Sequence, residues 1–181
     1  DQVKTQKISF ERLKDLVEDS DLSDHWHQTL KFLEIVTKNW PKILDERGVL
    51  DPTERRNLLL ESQTKIWSHS PPRGPIIAAG STGSIPATAD LLKTISELDN
   101  GFVVLPGLDK DSDQSVWDAL KPSHPQYGLA QLLKHMKIDR GDVALWPFTR
   151  KTMTRKSRVK LLNESMIPAS ISDHWQNRKQ L

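Results

Sequence analysis

Up to about residue 70 the apolar positions of this chain recur at helical spacings, and beyond it short continuous apolar runs alternate with them. Residues 8–19 (ISFERLKDLVED) place Ile8, Leu13 and Val17 near one face and predict a short helix. After Asp21 or Ser23 as a cap, Trp26, Leu30, Leu33, Val36 and Trp40 follow at intervals of three and four, the stripe of a long amphipathic helix. Pro41 is expected to kink or divide that helix, and Gly48 to stop it. Asp51-Pro52-Thr53-Glu54 then predicts a helix start: Asp51 caps, Pro52 suits the first position, and Glu54 completes a capping box. This helix carries Leu58, Leu59, Ser62, Ile66 and Trp67, and Ser70-Pro71-Pro72-Arg73-Gly74 ends it. Everything before that cluster reads as an antiparallel helical layer.

Past the boundary the pattern changes. The apolar run Ile76 to Ala79 leads into Gly80, Ser81, Thr82, Gly83 and Ser84. A helix over 86–98 then buries Ala89, Leu92 and either Ile95 or Leu98, before a second apolar run at 102–105. Strand, tight loop, helix, strand is a βαβ unit, which requires a parallel sheet. A short helix over 113–120 contains Trp117, and one from Tyr127 to Met136 turns Leu129, Leu132 and Leu133 inward. Residues 143–146 predict a short third strand, 154–166 a basic helix, and Ser172 or Asp173 the cap of a last one. The fold class is therefore α/β, with a mostly helical subdomain over 1–70 and an α/β section over 75–181. There is no internal repeat and no low-complexity tract.

With 181 residues, 36% hydrophobic and 28% charged, the chain has the composition of a soluble globular protein of one large domain or two small ones. It has no cysteine, which excludes disulfides, zinc–thiolate sites and thiol catalysis. No apolar run approaches a membrane span, and the opening DQVKTQK lacks signal-peptide character, so a cytoplasmic location is expected. Asp1 is not an initiator methionine and SDHWQNRKQL stops within a helical pattern, as in a section of a longer polypeptide. The net charge is only +2, but residues 143–181 hold eight basic and two acidic side chains. That basic excess points to an acidic partner.

The glycine loop after the first strand is the first candidate for chemistry. Gly80 and Gly83 stand three apart and no lysine follows until Lys93, so neither a phosphate loop nor a dinucleotide fingerprint is present. Backbone amides of Gly80, Ser81, Thr82, Gly83 and Ser84 at a helix start remain a possible anion site; the plainer reading is a tight turn capped by Ser84. Asp109, Asp111 and Asp113 alternate as in a calcium loop, but the required glycine and closing glutamate are missing, which leaves a solvated helix start. The six histidines show no metal spacing, and His124, before Pro125, has no paired nucleophile. No metal or cofactor is expected. Arg150, Lys151, Arg155, Lys156, Arg158 and Lys160 form a basic run without an interleaved acid until Glu164, suited to sequence-neutral phosphate contact. Of six tryptophans, Trp146 and Trp175 flank that run and are candidate base-stacking residues.

Four strings, IIAAGSTGSIPATADLL, VVLPGLD, HPQYGLAQLL and LLNESMIPA, together resemble the AddB family of bacterial double-strand break repair proteins. The likeness is best over 75–170 and extends to FLEIVTKNWPKIL and DPTERRNLLLE. It implies an internal section of an inactivated superfamily I helicase-like half. The sheet would be a partial RecA-like (P-loop-helicase-like) one, with an insertion subdomain before it and a helicase-nuclease subunit of AddA type as partner. Single-stranded or forked DNA would be the substrate of the parent complex. In working helicases of that superfamily an Asp-Glu pair follows the first strand, where this chain has Gly80-Ser81-Thr82; the Gly-Asp of a later sensor motif is split across Gly107-Leu108-Asp109. The resemblance thus implies a catalytically silent piece. The alternative is an independent α/β enzyme that binds a phosphorylated ligand at the 80–84 loop and uses His124 for proton transfer.

Overall fold

The computed structural model describes residues 2–8, 23–147 and 153–171. The helix expected over 8–19 lies outside them save for Ile8, as does the last one beyond Ser172. The chain divides into two compact units, one of residues up to 72 together with 85–94, the other of 73–84 with 95 onward.

In the first unit α1 (Gln2–Thr5) lies on α4 (Pro52–His69). Arg56 Nη2 donates to Thr5 Oγ1 (3.1 Å), Asn57 Nδ2 to the Lys4 carbonyl (3.1 Å), and Lys7 pairs with Glu61 at 2.5 Å. Asp51 caps α4 as expected, accepting from the Thr53 and Glu54 N–H groups at 2.9 and 3.4 Å with Pro52 behind it. Glu54 faces Lys4 Nζ at 3.9 Å instead of closing back on Asp51. The long helix is broken as Pro41 demands. It runs as α2 (Ser23–Glu34), a π-helical stretch (Ile35–Asn39) and α3 (Trp40–Glu46). Pro41 has no N–H to give and its ring crowds the carbonyl four residues back, so the turn before it widens to π spacing. Gly48, at φ +62°, closes α3 in a Schellman motif, with Val49 N–H on Leu44 O and Gly48 N–H on Asp45 O, both 3.0 Å. Of the stripe, Leu33 is half-buried while Val36 and Trp40 are exposed, as are Phe32, Ile35 and Ile43 beside them.

The βαβ unit forms. Strands β1 (Ile76–Ala79) and β2 (Gly101–Val104) pair in parallel with Ile76 opposite Gly101, joined through α5 (Pro86–Ser96). Ala89, Leu92 and Ile95 are buried as predicted, with Ala87 in addition. Gly101 is required by crowding, because a Cβ there would lie 1.8 Å from the Ile95 carbonyl oxygen. In the second unit follow α6 (Gln114–Asp118), α7 (Tyr127–Met136), a 3₁₀ turn (Arg140–Asp142), α8 (Met153–Ser165) and a second 3₁₀ turn (Ala169–Ile171). Val116, Leu129, Leu132, Leu133 and Met136 are its buried apolar residues. The third strand expected over 143–146 does not form. Lys110 Nζ takes the carbonyls of Gly141 (3.1 Å) and Val143, so a side chain occupies acceptors that a sheet ladder would need.

Candidate nucleic-acid interface

The loops leaving the carboxyl ends of β1 and β2 belong to the same unit as α7 and α8. In parallel sheets this edge is where ligands gather. The loop at 80–84 is held from both sides. Gly80, at φ +80°, extends the ladder by donating its N–H to Val104 O (3.0 Å), and Gly83 N–H turns inward to Ser81 Oγ (3.3 Å). Gly83, at φ +62°, sits so close to α7 that a Cβ would lie 2.6 Å from Leu132 Cδ1. Packing against Leu132 thus accounts for this glycine.

After β2 the chain folds around one carboxylate. Asp109 Oδ1 accepts from the N–H groups of Asp111 (2.9 Å) and Ser112 (3.1 Å) and from Asn163 Nδ2 (2.8 Å), while Oδ2 accepts from Ser112 Oγ. Three donors converge on Oδ1 and one reaches Oδ2. The group is spent on structure, as the reading of 109–113 as a helix start implies. Gln126 adds a clasp, its Oε1 accepting from Asp109 N–H (3.1 Å) and its Nε2 donating to Gly107 O (3.0 Å). His124 Nδ1 accepts the Gln126 N–H at 3.1 Å, which places the ring proton of neutral His124 on Nε2. A cavity of about 50 Å³ beside Asp109, His124 and Asn163 is too small for a nucleotide. Among the described residues no group of three His, Asp or Glu side chains is placed to hold a metal ion.

The Asn163 bond ties α8 to the β2 loop, and α8 carries the basic run. Lys156 and Arg158 stand exposed on it and hold no ion pair among the described residues, and Lys160 is 3.9 Å from Glu164. Arg155 lies in its first turn; Arg150, Lys151 and Trp175 fall outside the described residues. Val159 and Leu162 of α8 and Met166 just after it are also exposed. Trp146 is 57% exposed. The Asp109–Asn163 bond spans 54 residues and had no local signal. Arg140, whose guanidinium lies 4.7 Å from the Trp117 ring centroid, was likewise not singled out by spacing.

No protein-family model, no curated protein and no solved structure matches this chain. What the molecule itself defines is a mixed α/β chain with a two-stranded parallel sheet, in which no described helix is long and apolar enough to cross a membrane.

Proposed function

We propose that this chain is a non-catalytic, helicase-like section of a DNA end-processing subunit, a scaffold that lends basic contacts to the backbone of single-stranded or forked DNA. The observation that carries the reading is the segregation of charge onto α8 and its flanks, where Lys156 and Arg158 face solvent unpaired. Phosphate binding by such side chains is sequence-neutral and driven by counterion release. The four strings that resemble AddB proteins support the repair context, the RecA-like character of the sheet and a helicase-nuclease partner. Catalytic silence is supported by Gly80-Ser81-Thr82 standing, by that resemblance, where hydrolysis needs carboxylates, and by the Asp109 carboxylate being used to hold its own turn and Asn163.

The test is a titration of fluorescently labelled forked DNA with the chain and with the variant Arg155→Glu/Lys156→Glu/Arg158→Glu. The expected result is binding that the variant weakens by at least about tenfold, since several phosphate contacts are lost together. Equal affinity of the two proteins would refute it. Saturable binding of a nucleotide or sugar phosphate would favour the enzyme alternative, although the Gly80 and Gly83 amides are already engaged within the fold.

A further inference from the structure

In the second unit α6, α7 and the turn after α7 form a cleft of about 630 Å³, a volume within the range of small-ligand sites. Trp117 is covered by the Arg140 guanidinium, which is pinned by the Ser112 carbonyl at 2.8 Å and by Gln114 Oε1 and the Asp109 carbonyl at 3.5 Å each. A guanidinium held by hydrogen bonds over an indole is a platform on which another planar ring can stack. Tyr127, Gln131, Lys134 and Asp139 also line the cleft, and none of their side chains makes a hydrogen bond or ion pair among the described residues. Beside them Asp109 has four donors, and Gln114 Nε2 bonds Asp118 at 2.8 Å.

We propose that this cleft receives one unstacked base of a single-stranded nucleic acid, stacked on the Arg140–Trp117 pair, with Gln131 and Tyr127 bonding its edge. The inference rests on the DNA-binding reading of α8. A base is planar and carries donors and acceptors on its rim, which is what the Arg140–Trp117 pair and the unpartnered amide and hydroxyl complement. An apolar anchor from a protein partner would instead bury four polar tips without partners, at a cost for each. The charges at the cleft (Lys134, Arg140, Asp118, Asp139) balance, so it suits the neutral base while the phosphates stay outside. Asp109 links the two parts: its carboxylate holds Asn163 of α8 and its carbonyl accepts from Arg140. A strand tracking the basic helix therefore passes within reach of the platform.

The experiment compares the full chain's affinity for a labelled twelve-thymidine oligonucleotide and for an abasic oligonucleotide of equal length and charge, at low and high salt. The thymidine strand is expected to bind about tenfold tighter, a preference that persists at high salt because stacking does not depend on counterion release. Trp117→Ala should abolish the preference. Gln131→Trp, at an exposed helix position where it fills the cleft mouth, should do the same with an unchanged thermal melt. Measurable but equal binding of both strands overturns the cleft and leaves the α8 reading standing. No binding of either overturns both. A preference that survives Gln131→Trp also overturns the cleft, and a protein-binding cleft would leave both affinities unmoved.

Discussion

Asp51 shows how much one side chain can hold. Burial pushes its pKa up, but the Thr53 N–H, the Lys4 ammonium at 3.5 Å, the Glu54 N–H and the Trp40 indole outweigh that and hold it below its ordinary value. Because the folded state binds the proton more weakly than the unfolded chain, the stabilisation is complete above the unfolded value. It is lost as pH falls through the folded one. Asp51→Ala is expected to cost about 1 kcal/mol in urea denaturation at neutral pH, the worth of a helix cap, and less in acid below the ordinary aspartate range. An equal difference at both pH values would contradict this. The capping role was legible in Asp51-Pro52-Thr53-Glu54 because its partners lie within three residues. The Asp109–Asn163 bond was not, since nothing local in either stretch names the other.

At the scale of elements, conformational fit separates what tolerates change from what does not. Gly83→Ala meets both a left-handed φ and Leu132, and an expected loss of roughly 2–3 kcal/mol in denaturant stability follows. Lys137 is the opposite case. It closes α7 at φ +58° with Ile138 N–H on Leu133 O at 3.1 Å, a Schellman position that glycine fills without strain. Lys137→Gly is expected to raise stability by about 0.5–1 kcal/mol, and a decrease would contradict the strain argument. The βαβ unit and α7 could be read in the sequence because their apolar runs match their elements almost residue for residue. The third strand could not. Residues 143–146 have the right composition, but their fate was decided by Lys110, more than thirty positions away. The exposure of Val36 and Trp40 has a related reason: periodicity states which residues share a face, not whether anything covers it.

For the whole molecule the governing feature is the separation of charge. A chain with a net charge of +2 places its basic excess in residues 143–181, and the described part of that segment presents Lys156 and Arg158 to solvent. The basic run was plain in the sequence; its attachment to the sheet through Asn163, and the platform next to it, needed the fold. DNA-backbone contact through this segment is the central claim. The most direct measurement is the affinity of the chain for single-stranded DNA across a series of salt concentrations. If Arg150, Lys151, Arg155, Lys156 and Arg158 each neutralise a phosphate, log K should fall against log[salt] with a slope of about −3.5, at about −0.7 per contact. A slope near zero, or no binding at low salt, would contradict the account.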